Sequence, residues 1–241
     1  RREAAPATTA LPVAPGAPGA PVMAAADGSA PVRLHAHTDE PLSRWLWLVK
    51  WLLLIPHYVV LAFLAAAFVV TTIVAWFAIV FTGRYPRGLF DFNLGVLRWS
   101  WRVNGYSYGA LATDRYPPFS LGEHADYPVR LTIDYPARLS RGLPFVKWVL
   151  ALPHMLLIGA VSGGVVIGST DTDAGTELGV IGLLILILGI GLLFTGHVQR
   201  GVFDLLVGIQ RWSYRTIAYV ALMTDAYPPF RLDQGGEDPG T

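Results

Sequence analysis

Four residues recur at one spacing in two parts of this chain. Asp91, Gly95, Arg98 and Arg102 lie four, three and four residues apart, and Asp204, Gly208, Arg211 and Arg215 repeat the pattern. On a helix this spacing puts all four on one face. Paired guanidinium forks bind phosphate bidentately. A glycine between them lets a ligand or a second helix come close. The chemistry offered is an anionic-headgroup or partner site, flanked by Trp99 and Trp212. A structural reading competes with it: Asp91 pairs with Arg98 or Arg102, Asp204 does the same in its copy, and with Gly95 and Gly208 they form a network that fixes the module. Asp114 and Asp225 are further partners open to the arginines.

A second candidate is the pair His57 and His154, each following a proline inside an apolar run. Intramembrane polar residues are candidates for metal or haem ligation or for proton relay. A bond to a backbone carbonyl freed by the proline explains them without function. The chain has no cysteine, so disulfides, thiolate metal sites and cysteine nucleophiles are excluded. It carries no nucleophile elbow, P-loop, dinucleotide fingerprint or zinc-binding helix. No cofactor is predicted, and no metal beyond the two histidines. A net charge of +1 over 241 residues gives no field that would recruit nucleic acid.

The elements that position these residues come as an internal repeat. Pro31-Val32-Arg33-Leu34, Val49-Lys50-Trp51 and Pro56-His57 recur 97 residues later as Pro128-Val129-Arg130-Leu131, Val146-Lys147-Trp148 and Pro153-His154. Beyond the apolar block the offset is 113: Phe81-Thr82-Gly83, Arg87-Gly88, Phe90-Asp91, Arg98-Trp99 and Arg102 match Phe194-Thr195-Gly196, Arg200-Gly201, Phe203-Asp204, Arg211-Trp212 and Arg215. It then falls to 111, where Thr113-Asp114 and Tyr116-Pro117-Pro118-Phe119 match Thr224-Asp225 and Tyr227-Pro228-Pro229-Phe230. The second copy therefore gained 16 residues in its apolar block and lost two near its end.

These duplicated motifs resemble a bacterial membrane family known as a domain of unknown function (family 4389). The resemblance covers residues 31–122 and 128–233. It implies a tandem, multi-pass membrane protein and brings no activity and no site residues.

The composition agrees with a bilayer. The chain is 53% hydrophobic and 15% charged, against about a quarter charged in soluble domains. The predicted architecture is all-α: two tandem repeats, each a transmembrane helical hairpin with an amphipathic interfacial helix, and a short cytoplasmic β-ribbon. Repeat 1 (31–122) has spans at about 45–64 and 66–83 and an interfacial helix at about 88–112. Repeat 2 (128–233) has spans at about 143–168 and 178–196 and its helix at about 201–223. In repeat 1 a tight turn near Ala65–Ala67 is expected, because one 36-residue helix would be far longer than ~30 Å of hydrocarbon. Alternation over Val32–His37 and Val129–Asp134 predicts two short strands. Residues 1–30 read as a disordered Ala/Pro-rich tail, and residues 234–241 as a short tail. The chain starts at Arg1, which fits a fragment or a processed product.

All 18 basic residues avoid the predicted inter-helix loops, the longer of which carries only Asp171, Asp173 and Glu177. The positive-inside rule then puts both termini in the cytoplasm of a bacterial cell. Lys50, Trp51, Lys147 and Trp148 are expected as interface anchors, the lysines snorkelling to headgroups. The expected function is a non-enzymatic membrane scaffold or accessory subunit presenting Arg/Trp surfaces to anionic lipid or a partner protein. The alternatives are a small-molecule or lipid transporter, and a haem- or metal-binding redox subunit using His57 and His154.

Overall fold

The computed structural model describes residues 30–39, 41–163 and 179–233. Apart from Ala30, both predicted tails lie outside these residues, as does the acidic loop with Asp171, Asp173 and Glu177. Among the described residues the protein is mostly helical, with six α-helices and one two-stranded antiparallel sheet.

The sheet pairs β1 (Val32–Ala36) with β2 (Val129–Ile133). Leu34 faces Leu131 in the register, and these are repeat equivalents, 97 positions apart. Val32 faces Ile133 and Ala36 faces Val129 about the same centre. An antiparallel pair centred on equivalent residues makes a local two-fold axis, so the ribbon is where the copies meet. Its inward positions Val32, Leu34, Val129, Leu131 and Ile133 are buried, while Arg130 is exposed. This is the predicted period-two alternation.

Repeat 1 continues through α1 (Lys50–Leu53), α2 (Ile55–Thr82) and α3 (Arg87–Tyr106). Pro56 sits in the first turn of α2, where it is tolerated, and Gly83 ends the helix in the left-handed region at φ 69°. The turn expected near Ala65–Ala67 is not there: α2 runs unbroken for 28 residues, about 42 Å at 1.5 Å per residue. Nothing between Pro56 and Gly83 breaks a helix, and the alanines favour one.

Repeat 2 has α4 (Leu143–Gly163), α5 (Val180–Thr195) and α6 (Arg200–Val220). Gly163 and Gly179 both align with Ala66, by the two offsets of 97 and 113. They are in contact: a Cβ on Gly179 would sit 2.7 Å from the Gly163 backbone nitrogen. His154 of α4 meets Trp212 late in α6, whereas α5 leads directly into the start of α6. The helices α4 and α5 therefore follow each other in one direction along α6, as α2 does along α3. The insertion interrupts a helix; it does not lengthen a hairpin turn.

The predicted interfacial helices begin where expected, but α3 and α6 are inside the molecule. Phe90, Asn93, Trp99, Trp101 and Arg102 of α3 are buried, as are Phe203, Trp212, Tyr214 and Arg215 of α6. The equivalent rings of Trp101 and Tyr214 meet across the axis at 5.5 Å. Both helices end short of residues 112 and 223, and Leu111 and Leu222 carry the chain away at φ 52° and 64°.

The copies also exchange contacts. The Trp76 indole donates to Pro144 O at 3.3 Å, so a tryptophan on α2 covers the proline that opens α4. In the symmetric contact the sizes are reversed, and Trp47 lies against Gly189 of α5. One large and one small residue fill each interface.

Candidate functional site

The residues of the repeated motifs assemble into one arrangement, built twice. It starts with the lysines. Lys50 and Lys147, expected at headgroups, are each 1% exposed. Lys50 Nζ pairs with Asp114 at 2.9 Å and donates to Thr113 O at 2.7 Å. Lys147 Nζ pairs with Asp225 at 2.6 Å and donates to Thr224 O at 2.7 Å. Each ammonium also lies over a tyrosine ring, Tyr106 or Tyr219, at 4.6 and 5.0 Å. A four-carbon stem snorkels only if no nearer carboxylate is fixed, and the Thr-Asp dipeptide supplies one. The other carboxylate oxygen of Asp114 accepts from the Ser43 backbone N–H, and Asp225 does so from Ser140. Trp51 and Trp148 are about half exposed, at 55% and 48%.

Next along the chain, Tyr116 donates its hydroxyl to Leu53 O at 3.0 Å and Tyr227 to Leu150 O at 3.2 Å. The Pro-Pro step then turns Phe119 and Phe230 onto His57 and His154, with ring centroids 3.9 Å apart in both copies. On its edge each imidazole Nδ1 accepts the indole N–H of Trp99 at 3.1 Å or Trp212 at 2.8 Å. The histidines are 0% exposed. Each is enclosed by its own copy's aromatic rings, and the two do not meet. Among the described residues no three His, Asp or Glu side chains gather as a metal site.

The arginines complete the arrangement. Arg102 donates to Gly122 O at 2.7 Å and to Ser120 O; Arg215 donates to Asp233 O at 2.6 Å and Arg231 O at 3.3 Å. Burial pulls both guanidinium groups below their ordinary value. These forks hold backbone carbonyls of the segment after Pro-Pro-Phe, with no face turned outward. Gly95 and Gly208 let that segment pass: a Cβ on either would lie 2.8 Å from Leu121 or Leu232. Arg98 and Arg211 cross to the other copy's strand, donating to Leu131 O at 3.1 Å and Leu34 O at 3.2 Å. Arg98 also pairs with Glu123 at 2.8 Å.

The predicted Arg/Trp face is thus taken apart. Trp99, Trp212, Arg102 and Arg215 are buried, and Arg98 and Arg211 are half-buried against the ribbon. The aspartates are not in the network: Asp91 is exposed and pairs only loosely with Arg87 at 3.4 Å, and Asp204 is exposed. Lysine–Asp114 and lysine–Asp225 pairing replaces the arginine partners expected for those carboxylates. Sequence reasoning missed this link, although the equivalence of the only two lysines signalled it.

Residues 44–120 and 177–231 match a family model, Domain of unknown function (DUF4389). No curated protein and no solved structure matches the chain.

Proposed function

The chain belongs to the family described as Domain of unknown function (DUF4389), and from that premise we propose a non-enzymatic membrane scaffold or accessory module. One observation carries the reading: α2 and α4 are long and apolar enough to cross a membrane, yet only 11% and 17% of their most apolar windows are buried. A core helix of a water-soluble protein would be covered. Here Phe63, Val70, Ile73 and Phe77 on α2 and Val149, Leu152 and Leu156 on α4 face outward. Such a continuous apolar face needs lipid.

The unbroken α2 removes the premise of four crossings. A surface-lying arrangement has the better support. At one end of α2, Lys50 is tied to Asp114, and Asp39, three residues past β1, donates to Ala112 O at 2.8 Å. At the other end, Tyr135, two residues past β2, donates to Tyr85 O, and Leu139 to Gly83 O at 2.9 Å. The strands are antiparallel, so these exits lie at opposite ends of the ribbon. The helix α2 therefore runs alongside the ribbon. If α2 crossed the bilayer, the ribbon's Arg33–Asp134 ion pair and Arg130 would enter hydrocarbon, at about 3 kcal/mol or more per charge.

In the proposed arrangement the outward faces of α2 and α4 lie in one leaflet, and the ribbon faces the cytoplasm and a protein partner. Exposed Trp45, Trp51 and Trp148 suit the interface, and exposed Arg44, Arg84, Arg141 and Arg200 suit anionic headgroups. The absence of cysteine makes the test clean. Ser43→Cys precedes α2 and Gly88→Cys follows it. In intact spheroplasts neither should react with a membrane-impermeant maleimide, and both should react after permeabilisation. Labelling of one position from outside would show that α2 crosses.

A further inference from the structure

A cavity of about 540 Å³ lies between α2, α4 and α6. It falls within the size range of small-molecule sites. Phe68, Ile73, Met155, Ile158, Ile217 and Val220 are among its lining residues. Its three hydroxyls are committed elsewhere: Ser213 donates to Ile209 O, Thr216 to Trp212 O, and Thr72 Oγ1 accepts from Asn93. The cavity thus offers a guest only apolar contact.

The two-residue difference between the copies falls at this cavity. Val220 and Ala221 adjoin in the second copy and both line the cavity. Their equivalents Ser107 and Ala110 are separated by Tyr108 and Gly109. Tyr108 packs against the core there, its hydroxyl on Trp47 O at 2.7 Å. Met155 also stands where the first copy has the larger Tyr58.

We propose that this cavity holds one acyl chain of an anionic membrane phospholipid. The inference rests on the membrane reading above. The lining residues Val69, Ile73, Met155 and Ile217 are each about half exposed, so the cavity opens on the apolar face formed by α2 and α4. A chain leaving the bilayer core enters it without crossing polar surface. The charge beyond it is complementary: Arg84 and Arg141 are exposed, and the Arg141 guanidinium lies beside Gly83 at the end of α2. That is past the Trp76–Pro144 contact, where a headgroup would sit. A dry apolar cavity takes a hydrocarbon guest in preference to water.

The test is photolabelling in nanodiscs containing phosphatidylglycerol with a diazirine on its acyl chain, with adducts mapped by mass spectrometry. Adducts are expected on Ile158, Thr216 and Ile217 in the cavity and on Phe63 and Phe77 on the outward face. In Met155→Tyr and Ile217→Trp, which fill the cavity from partly exposed positions, the cavity adducts at Ile158 and Thr216 should fall at least tenfold. The outward adducts should stay. Outward adducts without cavity adducts in the wild type would overturn the acyl site and leave the membrane reading standing. No adducts at either place would overturn both. Cavity adducts that persist in filled variants of unchanged melting temperature would also overturn the site.

Discussion

A buried ammonium is stable only while its carboxylate is present. Removing one partner of a buried pair costs about 3–5 kcal/mol, because the other charge is left in a poor solvent. Asp114→Asn and Asp225→Asn should each lower stability by about that much. Lys50→Met should cost less, since the Asp114 side chain it leaves behind is 24% exposed and can reach water. Thermal unfolding in detergent, read by circular dichroism, checks the order. Tyrosines give a pH signature. Burial pushes the Tyr85 and Tyr214 hydroxyls up to about 12, above the ordinary tyrosine value of about 10. The unfolded chain loses these protons near pH 10, the folded protein only near 12. Between those values the unfolded state binds fewer protons, so stability falls as pH rises and is unaffected below about 9. Tyr214→Phe should flatten this fall in melts taken from pH 9 to 11.

The repeated helix, not the motif, carries the largest departure from the sequence reading. An apolar run of 36 residues read as two spans because a single one exceeds the bilayer thickness. That rule assumes a helix along the membrane normal. In the surface-lying arrangement proposed above the length of α2 is not limited by bilayer thickness, and α2 is one unbroken helix of 28 residues. The insertion in the second copy misled in the same direction. The contact of Gly163 with Gly179 gives its position in the helix a direct test. Deleting residues 164–179 should join α4 to α5 as one helix matching α2, and closing so modest a gap changes stability by only about 1 kcal/mol. An aggregated or strongly destabilised deletion variant, seen by size-exclusion chromatography and melting, would mean that α4 and α5 are independent elements.

At the scale of the molecule, each copy is completed by the other. Arg98 holds the second copy's strand and Arg211 the first copy's, while Trp76 and Trp47 cross in opposite senses. Residues 1–125 and 126–241 expressed separately should not fold, and co-expressed halves should purify together. A folded, monomeric single half would show that the exchange is dispensable. The amino-acid sequence by itself determined the duplication, the family, the two strands and the starts of α3 and α6. Those depend on local pattern: period-two alternation, helical spacing and motif identity. It could not determine which way the polar residues turn. The Asp–Gly–Arg–Arg spacing puts four residues on one helix face, but whether that face meets lipid or protein depends on what packs over it. The Pro-Pro-Phe segment and the other copy's strand do so here, and both arrive from distant positions in the chain. The same holds for the lysines, whose partners are 64 and 78 residues away, and for the cavity, which is formed where α2, α4 and α6 converge.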